Sequence, residues 1–313
     1  MNGTAGTVGV PDSFRRGPMA HVNHFAYGWS TPVLSYALSV FGSLLGLICA
    51  IRLRSASTAR QRMWWLALAS FALGGTAIWS MHFMAMLGFA VTGTTLRYDV
   101  GLTLASAVIA VVAVGVGLAV VGGRAAPVRL AAGGLITGLG VAGMHYTGMA
   151  AMRLNGDIDY DPLRVVLSVL IAVVAATAAF WLALTVRRPL AIAGSALVMG
   201  VAVSGMHYTG MTAMSVHLRS TAPPTEGATV GTLLVPIVLA VIVVGLGLAY
   251  ALMLAPSPED RAGLAYLDER QTARAGDPAA RHGEQAAFDP VGLAGRDAFG
   301  PRPGRSRPDR VER

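Results

Sequence analysis

Residues 143–152 read "GMHYTGMAAM" and residues 205–214 read "GMHYTGMTAM". Residues 80–89, "SMHFMAMLGF", are a looser copy. Their histidines, His82, His145 and His207, stand 63 and 62 residues apart. That period fits two membrane-crossing helices with their loops, at about 20 residues per crossing. A unit that crosses and returns leaves its successor in the same orientation, so the copies are parallel repeats about an axis along the membrane normal.

The composition agrees. The chain is 54% hydrophobic and 13% charged, where soluble domains carry about 25% charged residues. Apolar stretches predict spans near residues 31–51, 64–91, 100–121, 130–152, 163–186, 190–214 and 230–254. The expected fold is an all-α membrane protein: seven transmembrane helices, built as three parallel two-helix repeats plus a final helix. Residues 1–23 read as an extracytoplasmic tail, 24–254 as the membrane domain, and 255–313 as a disordered cytoplasmic tail rich in Arg, Pro and Gly. The first twenty residues lack the apolar core of a signal peptide.

Several function classes fall away. A single cysteine, Cys49, excludes an internal disulfide, a thiolate cluster and a haem-attachment motif. All 24 basic residues are arginine, so no lysine can form a retinal Schiff base. The net charge of +8 is no nucleic-acid signal, because the segment after residue 255 balances ten arginines with ten acids.

The surplus charge reports orientation. Arg52, Arg54, Arg60, Arg62, Arg124, Arg129, Arg187 and Arg188 lie in the loops between spans 1 and 2, 3 and 4, and 5 and 6. The alternate loops hold Arg97, Arg153, Arg164 and Arg219. Positive loops stay inside, which places the N-terminus outside and the C-terminus inside the cytoplasmic membrane, against a weak opposing signal from Arg15 and Arg16. The histidines then share one depth near the outer ends of helices 2, 4 and 6.

Four residues after each histidine comes a methionine, Met86, Met149 or Met211, on the same helix face. One residue before comes Met81, Met144 or Met206, turned about 100° away. Intramembrane ionisable groups are costly and mark functional sites. Imidazole with thioether, and neither carboxylate nor thiolate, suits copper first; haem iron competes through His/His or His/Met ligation. His24 enters at the outer end of helix 1 as a further candidate ligand. Asp99 and Asp161 open helices on the outer side, either as plain caps or as acceptors orienting ligating imidazoles.

Met144-His145-Tyr146-Thr147 and Met206-His207-Tyr208-Thr209 resemble the signature of the MHYT-domain family of bacterial integral membrane sensors. The resemblance covers roughly residues 24–254. It implies seven helices with the motif near the outer ends of helices 2, 4 and 6. It also implies copper bound through Met81, His82, Met144, His145, Tyr146, Met206, His207 and Tyr208, and sensing of oxygen, carbon monoxide or nitric oxide. The first copy departs from the pattern, with Phe83 and Met84 in place of Tyr and Thr. Many family members carry an enzymatic output domain after the last helix. Here the segment after residue 255 offers room only for a short helix near 259–274, so output through a separate cytoplasmic protein docked on the tail is expected. The alternatives are copper handling or delivery at the outer face, and a haem-binding membrane protein. Copper transport ranks low, because the inner halves of the motif helices lack a ladder of ligands.

Overall fold

Proline and aspartate set where the helices begin. Pro127, Pro162 and Pro189 each open a helix, where the missing N–H costs nothing. Asp99 accepts a hydrogen bond from Leu102 N, and Asp161 from Leu163 N and Arg164 N, so both carboxylates cap helix starts. In the computed structural model, which describes residues 19–122, 126–219, 226–253, 263 and 266–270, the long helices are α1 (Ser30–Arg54), α2 (Ala59–Leu87), α3 (Val100–Val121), α4 (Pro127–Ala150), α5 (Pro162–Thr185), α6 (Pro189–Thr212) and α7 (Val230–Met253). The first six are long and apolar enough to cross a membrane, and α7 has 24 residues.

Six helices close a ring. Each of α1 to α6 packs against the next, and α6 packs back against α1; α7 lies against α2 and α1. Burial runs inside out relative to a soluble bundle. On α5 the buried residues are Ser168, Ala172, Ala176, Phe180 and Ala183, while Leu163, Leu170 and Val174 are exposed. Small residues inside and large aliphatics outside are what lipid-solvated helices use, since close backbone approach supplies the packing.

Gly138 shows that approach: a Cβ there would collide with the backbone of Val173 on α5. One repeat earlier the partners should be Gly75 and Val111. Instead a Cβ at Gly74 would lie 2.8 Å from Val111 Cα, and one at Gly75 only meets the Val111 side chain at 3.8 Å. The cause is a π-helical stretch, Phe71–Ser80, in the middle of α2. Its wider i→i+5 winding slips the packing register by one residue, and Ser80 Oγ donates back to Gly75 O across five residues at 2.9 Å. Helices α4 and α6 are α-helical throughout.

Three short antiparallel strand pairs add to the all-helical expectation. They are β1 (Val22–Asn23) with β2 (Ala90–Val91), β3 (Arg97–Tyr98) with β4 (Met152–Arg153), and β5 (Gly156–Tyr160) with β6 (Met214–Leu218). In each pair, one strand follows a motif helix and the other precedes the helix before it: α1 and α2, α3 and α4, α5 and α6. The chain is thus three two-helix units plus a final helix. Met19 bridges to His217, so residues 19–23 join this strand layer. Arg15, Arg16, Arg124 and most of 255–313, including most of the short helix expected at 259–274, lie outside the described residues. The second compact unit, Ala255–Arg313, is described only at Gly263 and residues 266–270, which are helical.

Candidate metal centre

The final turns of α2, α4 and α6 carry the three histidines into one point. His82 Nδ1 lies 3.0 Å from His207 Nδ1 and 3.2 Å from His145 Nδ1. The ring centroids are 4.9, 5.0 and 5.2 Å apart, in edge-to-face array. All three rings are at most 1% exposed. Around a single ion with bonds of about 2.0–2.1 Å, tetrahedral nitrogens stand roughly 3.3–3.4 Å apart. The two separations from His82 are therefore close to those one ion would impose, and the three histidines offer ring nitrogens all within 4.8 Å of one another.

Without a cation the arrangement is hard to satisfy. Three Nδ1 atoms point at one another, and a neutral imidazole has one donor and one acceptor nitrogen. His82 Nε2 and His145 Nε2 are buried with no hydrogen-bond partner. A positive ion at the meeting point would take all three Nδ1 lone pairs. The residues present therefore suit a metal: three convergent imidazoles in a buried site.

Glycines seat the rings. A Cβ on Gly148, three residues after His145, would strike the His82 ring at Nε2; one on Gly210, three residues after His207, would strike His145 at Nε2. The imidazoles of His82 and His145 thus each lean into a notch on the next motif helix. Copy one carries Ala85 at the equivalent place. This spacing was visible in the repeat, but its meaning required the neighbouring helix.

The methionines divide into two layers. Met144 and Met206 join the mid-bundle core with Leu47, Ala110 and Phe180. Met86, Met149 and Met211 join the core under the strand pairs, with Phe83, Phe89, Tyr98 and Val216. Met81 is buried as well. The triad sits between the two cores, with the i+4 methionines on its strand side.

Tyr146 turns away from the triad to bond Ser168 Oγ at 2.7 Å. Ser168 donates onward to Val165 O at 2.8 Å. Sixty-two residues earlier, Ser106 donates to Thr103 O at 2.7 Å and accepts from Trp79 Nε1 at 3.0 Å. Ser35 on α1 makes the same backbone bond to Pro32 O, 2.9 Å. Tyr208 stands by Ser35, but its hydroxyl falls outside hydrogen-bond geometry. These serines were missed in the sequence, although the Ser106–Ser168 spacing repeats the histidine period.

His24 is half-buried and tilts onto Phe89, centroids 5.5 Å apart, with burial lowering its pKa. It is not one of the three converging residues. Asp99 accepts from Arg153 at 2.8 Å as well as from its capping amide. The Arg153 hydrogen bond, then the capping amide, hold its carboxyl below the usual range. Asp161 lies beside Arg164, 3.7 Å away. None of the described bonds of either aspartate reaches an imidazole; those of their carboxylates are caps and ion pairs.

The family model of the MHYT bacterial signalling protein N-terminal repeat matches residues 75–134, 138–196 and 200–264. The chain is 43% identical over 201 residues to the bifunctional diguanylate cyclase/cyclic di-GMP phosphodiesterase MucR of Pseudomonas aeruginosa, covering 62% of this chain and 29% of MucR. It is 38% identical over 178 residues to the cyclic di-GMP phosphodiesterase NbdA of the same species, covering 53% of this chain and 22% of NbdA. It is 28% identical over 213 residues to the signalling protein YkoW of Bacillus subtilis, covering 64% and 26%. The chain thus spans less than a third of each of these relatives, and no solved structure matches it. With three matched repeats over more than half its length and a histidine from each meeting at one point, the chain belongs to the MHYT family of bacterial membrane signalling proteins.

Proposed function

We propose that the chain is a sensor of a diatomic gas (oxygen, carbon monoxide or nitric oxide) or of redox state, built on a copper ion held by His82, His145 and His207. The observation that carries this reading is the convergence of three buried Nδ1 atoms within 3.2 Å steps. Bound copper supplies a redox-active centre able to take a small exogenous ligand. Three imidazoles alone also suit zinc. The thioethers of Met86, Met149 and Met211, layered against the histidines, favour copper, and they rank ahead of Met81, Met144, Met206, Tyr146 and Tyr208 as additional ligands. Rings in edge contact leave little space between them for a flat macrocycle, which counts against haem. Histidines no more than 1% exposed also suit a resident ion better than one handed to a delivery partner.

The arginine-rich loops support a cytoplasmic-membrane orientation with the N-terminus outside and the triad near the outer face. The signal is then carried inward by three helices that share one site. A change in ligation at the triad moves α2, α4 and α6 together, biasing two packings of the ring. A cytoplasmic signalling protein that meets the C-terminal segment would read that shift. The relatives named for cyclic di-GMP chemistry make a cyclase or phosphodiesterase the natural class of partner. Visible absorption of the purified, copper-loaded protein before and after carbon monoxide or nitric oxide tests the reading. A saturable spectral change that vanishes in His82→Ala/His145→Ala/His207→Ala protein supports it. An unchanged spectrum with copper bound removes gas as the signal.

A further inference from the structure

A cavity of about 70 Å³ lies in the bundle next to the triad, lined among others by Ile78, Val141 and Val203. Each of these residues stands four positions before a histidine, on the same helix face one turn of about 5.4 Å away. Thr137 and Met199, one turn further, line it too. The cavity therefore continues the axis on which the histidines meet.

Its wall is almost wholly apolar, much of it the alanines of α5 such as Ala172 and Ala176. Of its two hydroxyls, Thr137 Oγ1 is committed to Ala113 O at 3.1 Å. Ser43 Oγ is fully buried and has no partner. A water needs about 10–15 Å³ and two to four polar partners. The space suffices for water, but the partners do not. Apolar cavities of this kind stay dry and take up small apolar molecules, xenon among them. The lining also includes Val198 on α6, 61% exposed on the flank that meets lipid. The cavity thus runs from the apolar flank between α5 and α6 to the underside of the triad at Met206.

We propose that this cavity is a binding site for a small, neutral, weakly polar molecule of gas size. Such a molecule partitions from the bilayer past Val198 and rests below the histidines with Ser43 Oγ as its single hydrogen-bond donor. The proposal deepens the sensor reading, since it gives the triad a lipid-side supply of its ligand. The cavity itself does not depend on the metal, so the two can fail separately.

Xenon is the probe, applied to the metal-stripped wild-type protein and followed by ¹²⁹Xe exchange or by anomalous scattering from pressurised crystals. Xenon seated between Ile78, Val141 and Ser43 in the wild type, and lost in Ala176→Leu protein of unchanged helix content, is the expected result. Val198→Trp covers the case in which Ala176→Leu fails to fold, because its side chain lies on the exposed flank. It should slow xenon exchange with occupancy retained. Absence of xenon from the wild-type cavity overturns the proposal, as does uptake indifferent to Ala176→Leu, or, where that variant does not fold, exchange indifferent to Val198→Trp. In copper-loaded protein, Val198→Trp should slow gas association with copper content unchanged. Xenon bound in the stripped protein while copper-loaded protein ignores gas would keep the cavity and discard the sensor.

Discussion

The imidazole of His82 rests on Gly148 of the neighbouring motif helix, and the imidazole of His145 rests on Gly210 of the next. The glycine three residues after the histidine is therefore part of the site, although it offers no ligand atom. Alanine at either glycine pushes a ring out of the meeting point, and overpacking of this kind costs about 1–3 kcal/mol. Gly148→Ala and Gly210→Ala should weaken metal binding about tenfold or more, read by competition with a chelator. Gly143→Ala and Gly205→Ala, where a Cβ would meet nothing within 4 Å, should leave it unchanged.

The two methionine layers make separable predictions. Met86→Leu, Met149→Leu and Met211→Leu remove thioethers from the strand side of the triad with little change in volume. They should lower copper(I) affinity and shift the absorption of the loaded protein. Met144→Leu and Met206→Leu, in the mid-bundle core, should do neither. Equal effects from both sets would mean that both layers ligate.

Tyr146 and Ser168 form a part-buried pair at 2.7 Å, within a bilayer where such bonds average about 0.6 kcal/mol. Tyr146→Phe should lower thermal stability slightly and leave metal content at its wild-type value. Combined with Ser168→Ala, the losses should be less than additive, because one bond is being removed twice. Loss of the metal in Tyr146→Phe would instead restore the tyrosine as a ligand.

The pKa of Asp99 is lowered by Arg153 and by the capping amide of Leu102. A depressed carboxyl stabilises the fold above its unfolded pKa and loses that contribution as pH falls through its folded value. Asp99→Asn should therefore melt slightly below wild type at neutral pH, and the two should converge as pH drops below 3.8. Because the Asp99 side chain is 33% exposed and solvent screens the pair, the difference is small. Metal affinity should be the same in both proteins; a clear loss in Asp99→Asn would show that the carboxylate supports the triad after all.

The helices and their repeat were legible because they follow from length, hydropathy and period. The histidines were legible because a costly polar group recurred at one offset in three helices. Other features depend on neighbours remote in sequence. The seat of His82 on Gly148 joins residues 66 positions apart, and only the ring closure of α6 onto α1 makes the third helix meet the first. The π-helical turn in α2 left no mark at the glycine offset, since copy one keeps Gly75 seven residues before His82 and its packing still slips to Gly74. The strand pairs escaped notice because they are two to five residues long, too short for a periodicity. Asp99 and Asp161 were readable as caps, and the described bonds of their carboxylates are caps and ion pairs.

The central claim is that three histidines hold one metal ion, and metal content tests it most directly. Purified wild-type protein, supplied with copper and freed of excess, should carry one copper per chain. His82→Ala/His145→Ala/His207→Ala protein of equal helix content should carry none. Copper retained by the triple variant, or a well-folded wild type that binds no metal at all, would contradict the account and leave the triad as a packing contact between helices.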